Sequence, residues 1–316
     1  MKLGRFIVAF LFAAVLALFG SLNTRAESPK EFRVGYQKNG VLVIARQQAV
    51  LEKRLAQYGV VVKWLEFPSG PPLLEAMNAG SIDFGTTGDT PPIFAQSAAA
   101  AILYVAGQPI TNGQAIIVPS NSTVRSVADL KGKRVGFMKG SSAHNIVVTA
   151  LENAGLTYSD ITPVYLSPPD ASAAFARGSI DAWAIWDPYF AAAEKRQGAR
   201  VLVRAQDVVQ TNSFFLANRE FARRSPQVLR DAIEALAETA SWAETHRDEV
   251  AKSLAEVTGV DLDIQTVAAE RSSFAIGRVT DDLIKTQQAV ADRFHRLGLI
   301  PKPIVVREAV WVSPQS

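Results

Sequence analysis

Apolar and polar positions along this chain change their spacing repeatedly, and each change predicts an element. "EFRVGY" (31–36) is a short β-branched and aromatic run that predicts a strand. "VLVIARQQAVLEKRLAQYG" (41–59) moves to helical spacing and stops at Gly59. "VVVKWLEF" (60–67) returns to strand character. Ser69 or Gly70 then caps a helix that opens on Pro71 and Pro72 and ends at Asn78-Ala79-Gly80. "SIDFGTTG" (81–88) predicts a strand and turn, and Thr90 with Pro91 opens the next helix. The second half repeats the order: strand 133–138, helix 142–153 with Gly155 past its end, strand 162–166, helix 169–177, strand 181–185, and a helix from Pro188. Such alternation predicts parallel sheets covered by helices on both faces. Beyond about residue 220 only helical spacing remains, which predicts cover for the first lobe and the hinge.

The chain also matches itself. "RVGYQKNG" (33–40) matches "RVGFMKGS" (134–141), and "AGSID" (79–83) matches "RGSID" (177–181). Asp89 in "GDTPP" matches Asp187 in "WDPY", and "PPLLEAMNAG" parallels "PPDASAAFARG". Matches at nearly one offset predict two α/β lobes of like topology joined by a two-strand hinge. The expected division is 27–117 with 218–316 for the first lobe and 118–217 for the second. Both crossings are expected in extended strands, "AIIVPS" and "FFLAN".

The N-terminus changes the picture of charge and address. Lys2 and Arg5 precede fourteen unbroken apolar residues, Phe6 to Phe19, and "SLNTRA" places Thr24 and Ala26 at the small-residue positions of a cleavage site. This predicts a signal peptide of residues 1–26 and a periplasmic mature protein; the apolar run is short for a membrane span. The predicted leader holds three of the 33 basic residues and no acidic ones, leaving thirty of each sign. Nucleic acid is therefore not an expected partner. With no cysteine, disulfides, thiolate catalysis and cysteine-ligated zinc are excluded. His144, His246 and His295 are widely spread, and no Gly-x-Ser-x-Gly, His-Glu-x-x-His or Walker loop is present, so neither a metal nor another cofactor is expected.

In open α/β sheets ligands bind beyond the carboxyl ends of the strands. The repeated segments fall there: Tyr36-Gln37-Lys38, Thr86-Thr87-Gly88-Asp89, Gly140-Ser141-Ser142 and Trp186-Asp187. Free N–H groups at a helix start, serine hydroxyls and a close-approach glycine favour an oxyanion held by neutral donors. The simpler alternative has Ser141 or Ser142 only capping its helix. His144, in the first helical turn, is expected neutral, as donor or packing. Asp89 and Asp187 are helix-start carboxylates that would repel an anion but accept a cationic amine on the same molecule. Trp186 is expected in the cleft and Trp183 in the core. Lys38 and Lys139 are expected in solvent.

At "GYQKNG", "EFPSGPPLLEAMNAGSIDFGTTGDTPPIFAQ", "VADLKGKRVGFMKGSSAHN", "YLSPPDASAAFARGSIDAWAIWDPY" and "TNSFFLA" the chain resembles the periplasmic aliphatic sulfonate-binding proteins of ABC importers, within the nitrate/sulfonate/taurine group. The resemblance implies a periplasmic binding protein fold of type II that closes on its ligand and docks, likewise as a monomer, on an inner-membrane permease. It implies ligand contacts at Gln37, Thr87, Gly88, Asp89, Ser141, Ser142, His144, Asn145, Trp186 and Asp187, with Ser213 and Phe214 as weaker candidates. Ala143 stands where relatives often carry a further serine. Taurine, a sulfate ester or nitrate stay open as ligands. An enzyme on the same fold, a desulfinase, would need the cysteine nucleophile this chain lacks.

Overall fold

The computed structural model describes residues 29–108 and 112–314; the predicted leader lies outside them. The first lobe opens with β1 (Glu31–Tyr36), α1 (Val41–Gln47), α2 (Val50–Leu55), β2 (Val61–Glu66), α3 (Gly70–Asn78), β3 (Phe84–Gly88), α4 (Thr90–Ser97) and β4 (Ile102–Gln108). The chain then enters the second lobe with β5 (Gln114–Val118), β6 (Arg134–Phe137), α5 (Ser142–Asn153), β7 (Thr162–Tyr165), α6 (Pro168–Ala176), β8 (Ala182–Trp186), α7 (Tyr189–Gln197) and β9 (Arg200–Arg204). It returns with β10 (Ser213–Asn218), followed by α8 (Arg219–Arg224), α9 (Pro226–Thr245), α10 (Arg247–Thr258), α11 (Leu262–Arg271) and α12 (Asp281–Arg296).

Two five-stranded sheets result, ordered β2-β1-β3-β10-β4 and β7-β6-β8-β5-β9. They are the same sheet twice. Each has a parallel set of three and an antiparallel strand inserted beside the third, β10 in the first and β5 in the second. The passages between lobes therefore fall before β5 and between β9 and β10. The expected boundaries at 117/118 and 217/218 lie later, because apolar runs such as "AII" and "FFLA" read equally as crossings and as interior strands. These residues are buried on both faces, as interior strands require, and each run belongs wholly to the sheet it enters.

The sequence repeat has a structural cause. In both lobes an arginine near the start of the first parallel strand clamps the aspartate that precedes the third. Arg33 donates from its backbone N–H (2.9 Å), Nε (2.9 Å) and Nη2 (2.6 Å) to Asp83, and its Nη1 donates to the Gly80 carbonyl (2.5 Å). Arg134 does the same to Asp181, at 2.7, 3.1 and 2.8 Å, and reaches the Gly178 carbonyl at 2.8 Å. A planar guanidinium suits this two-point grip. Gly35 and Gly136 also correspond. A Cβ on either would come within 2.5 Å of the Cδ1 of Ile82 or Ile180. "RVG" and "GSID" recur because they are two halves of one joint.

The long helix expected over 41–59 is broken: Ala49 takes φ +51°, which separates α1 from α2. The C-terminal helices cover the first lobe as expected. Leu229, Ala232, Leu236 and Ala240 of α9 pack with Phe32, Val34 and Phe84, while Val290 and Phe294 of α12 pack with Leu73, Ile93 and Tyr104. Two of these helices also reach the second lobe. Arg271 of α11 pairs with Glu194 at 2.6 Å, and Arg293 and Arg296 of α12 pair with Glu152 at 3.0 and 2.8 Å. No described helix is long and apolar enough to cross a membrane.

Candidate functional site

Five helices begin at the cleft between the sheets. Gly40 and Val41 (start of α1), Gly70 (α3), Gly88 and Pro91 (flanking the start of α4), Ser141 and Ser142 (α5), and Asp187 (before α7) all line it. Pro71 and Pro72 in α3 and Pro91 and Pro92 in α4 carry no N–H, so the unpaired first-turn donors come chiefly from α1, α5 and α7, while the helix dipoles add positive potential. Gln37, Thr86, Thr87, Gln108, Gln114, Trp186, Ser213, Ser272 and Ser273 complete the polar and aromatic wall. Among the described residues no lysine or arginine lines the cleft, and Asp187 is the single ionisable side chain there. Such a site binds a compact anion by neutral, fixed donors.

Of the twelve residues named from sequence, the cleft brings together Gln37, Thr87, Gly88, Ser141, Ser142, Trp186, Asp187 and Ser213. Asp89, His144, Asn145 and Phe214 stand behind it. Asp89 is buried; it accepts from Thr90 Oγ1 (2.8 Å) and, across the lobes, from Asn145 Nδ2 (2.9 Å). Burial raises its pKa against these bonds and one from Ser142. Asn145 is held in turn by Arg293 Nη1 on its Oδ1 (3.1 Å). Phe214 is fully buried edge-on to Tyr104. Trp183 lies in the core and Trp186 in the wall, as their alternation along β8 predicts.

His144 is fully buried among Phe94, Phe137, Tyr158, Tyr165 and Phe294, rings supplied by both lobes. Its Nδ1 accepts from the Gly140 N–H at 3.2 Å. Burial, with the Lys139 ammonium adding to it, lowers its pKa to about 3. It is a neutral packing group that fixes the turn ahead of α5. Neither serine is a simple cap. Ser141 sits at the N-cap position, but its hydroxyl donates back to the Met138 carbonyl at 2.8 Å. Ser142 Oγ instead faces Gly88 of the other lobe, so closely that a Cβ there would overlap it.

Asp187 is 4% exposed. Its Oδ1 accepts from the Ala191 N–H at 2.9 Å and lies 3.5 Å from Arg271 Nη1. Its Oδ2 has no hydrogen-bond partner. Burial raises its pKa to about 6, with Arg271 opposing. Its carbonyl accepts from Asn39 Nδ2 at 3.0 Å, a second bond across the lobes beside Asn145–Asp89. Lys38 and Lys139 stay off the cleft: Lys38 donates to the Thr258 carbonyl (2.9 Å), and Lys139 lies 5.5 Å from the Tyr165 ring centre.

Sequence reasoning missed Asn39, Gly40, Gly70, Gln108, Gln114, Ser272 and Ser273. The first three were within reach, because they stand in the repeated segments. Ser272 and Ser273 come from the C-terminal third, which has no internal counterpart, and Gln108 flanks a passage between lobes that was placed too late.

The sequence matches the NMT1/THI5-like family over residues 55–250. A relative from Escherichia coli (strain K12), named for binding aliphatic sulfonates, is 40% identical over 314 residues, 98% of each chain. The fold superposes on the alkanesulfonate-binding protein SsuA from Xanthomonas axonopodis pv. citri bound to MOPS with a TM-score of 0.85 at 42% identity, covering 90% of this chain and 99% of that one. For the periplasmic aliphatic sulphonate-binding protein SsuA from Escherichia coli the values are 0.81 and 41%, covering 92% and 94%. The chain belongs to the NMT1/THI5-like family, among its aliphatic sulfonate-binding proteins.

Proposed function

We propose that this chain is the substrate-binding component of an ABC importer, that it captures aliphatic sulfonates, and that it delivers them to a membrane permease. The observation that carries this is the cleft: five helix starts and several hydroxyls line one cavity, with no cationic side chain among its described residues. A sulfonate is anionic at every physiological pH and has no proton to give, so a set of N–H and O–H donors suits it. Each charge-assisted bond contributes about 1.5–3 kcal/mol. Four of these, offset by the cost of closure, correspond to roughly micromolar affinity. The half-buried Trp186 offers an apolar face to the organic tail. The protein has no enzymatic role.

The cleft residues are Gln37, Thr87, Gly88, Ser141, Ser142, Trp186, Asp187 and Ser213, with Asp89 and Asn145 holding the lobes around them. The mature protein acts in the periplasm as a monomer, after cleavage behind Ala26; intact mass of the exported protein beginning anywhere but Glu27 would contradict this cleavage. Titration calorimetry in a sulfonate-free buffer tests the ligand, with butanesulfonate, MOPS, taurine, sulfate and nitrate as probes. Butanesulfonate and MOPS are expected to bind most tightly. Tighter binding of sulfate or nitrate would overturn the assignment.

A further inference from the structure

The cleft carries one feature that a plain anion site would exclude. Asp187 is buried, lines the cavity, and presents an oxygen, Oδ2, with no hydrogen-bond partner. Its other oxygen is engaged by the Ala191 N–H and by Arg271. The Oδ2 side lies against Gly113, another lining residue, where a Cβ would come within 2.7 Å. Oδ2 itself is covered, so Asp187 acts on the cleft as a buried, uncompensated charge in its wall rather than as a direct contact. An ionised carboxylate there would face a sulfonate at close range in a site shut off from water, where like charges repel strongly.

Arg271 does not remove this conflict. Its Nη2 is bound to Glu194 at 2.6 Å, and its guanidinium lies 4.3 Å from the Phe190 ring centre, so its charge is shared on the far side of Asp187. Arg271 and Glu194 are the titratable groups that face Asp187. Its other neighbours, Asn39, Gly113, Gln114, Ser272 and Ser273, carry none.

We propose that Asp187 is the neutral carboxylic acid whenever a plain alkanesulfonate occupies the cleft it lines, so that each ligand captured brings one proton into the protein. This rests on the sulfonate assignment above. The proton comes from solvent when the ligand enters and returns to it when the ligand leaves. Burial has already raised the acid into the range where this uptake is accessible at neutral pH. By linkage, affinity is greatest at low pH and falls about tenfold per pH unit between the free and bound pKa of this group.

The test is calorimetry of butanesulfonate binding at about pH 7 in Bis-Tris and in Tris, two sulfonate-free buffers whose ionisation enthalpies differ. The proposal expects uptake approaching one proton per ligand and a falling affinity as the pH is raised. Asp187→Asn, which is uncharged at every pH, is expected to bind with no proton uptake, to lose the pH dependence, and to match or exceed the wild-type affinity on the alkaline side. If butanesulfonate binds wild-type protein with no buffer dependence, the proposal is wrong while the sulfonate assignment stands. If taurine binds far more tightly than butanesulfonate and Asp187→Asn abolishes that preference, the ligand's ammonium is the missing partner, and the proposal is again wrong. No sulfonate binding at any pH would remove the assignment itself, and the proposal with it.

Discussion

Gly88 offers a measurement of how far the lobes must close. A Cβ at this position overlaps Ser142 Oγ of the opposite lobe and comes within 3.1 Å of Ser142 Cβ. Gly88 does not hold a left-handed φ, so alanine fits its backbone. Gly88→Ala should therefore leave each lobe intact and act on their approach. The cheapest relief is rotation of the Ser142 hydroxyl, which breaks its bond to the buried Asp89 carboxylate. Leaving these buried polar atoms without their partner costs about 1–3 kcal/mol, which corresponds to roughly a fivefold to hundredfold loss of affinity. In a Ser142→Ala background the oxygen is gone and only the Cβ contact remains, which needs a shift of a few tenths of an ångström. There the same change at Gly88 should cost only a few-fold. Calorimetry of the four proteins, wild type, both single variants and the double, gives the coupling directly. Equal costs in the two backgrounds would show that Ser142 does not set the closing distance.

Two further outcomes follow from residues behind the cleft. His144 is neutral when folded, with a pKa near 3 against about 6.5 when unfolded, so the unfolded chain binds more protons in that window. Stability present above about pH 6.5 should be lost as the pH falls, by up to about 1.4 kcal/mol per unit; His144→Phe should flatten this loss in melting curves, and an unchanged slope would contradict it. Arg293 touches no ligand but holds Glu152 and Asn145 across the lobes, so Arg293→Ala should weaken butanesulfonate and MOPS by the same factor, about tenfold or less. Unequal factors by calorimetry would place it in ligand recognition instead.

Most of the architecture was legible because the chain states it twice. Arg33–Asp83 and Arg134–Asp181 left matching tetrapeptides, and the helix starts left prolines, glycines and serines at fixed distances from them. What the repeat could not convey was strand membership at the passages. "AIIV" and "FFLA" look alike whether they bridge two sheets or complete one, since both uses bury them. The division of the cleft residues into wall and backing was equally hidden. His144 and Asn145 follow Ser142 directly, but helical rotation turns them away from the cavity and into the seam between lobes. Ser272 and Ser273 reach the cleft at the end of α11, which is tied to α7 through Arg271–Glu194, Lys195–Asp263 and Arg196–Asp263, contacts between elements far apart in sequence.

The inserted strand of the first sheet has a consequence for the order of synthesis. β3 pairs with β10 from Gly88 opposite Ser213 to Phe84 opposite Ala217, and β4 pairs with the other edge of β10. Until residues 213–218 have left the ribosome, β3 and β4 have an open slot between them and the first lobe cannot assemble its sheet. The second lobe has no such delay, since β5 is made before the strands it joins. A closure over so long a loop is slow. Nascent chains arrested before residue 213 should be cleaved readily within 29–108 by a protease, and those arrested well beyond residue 218 should resist; early protection would show that the first lobe does not wait for its missing strand.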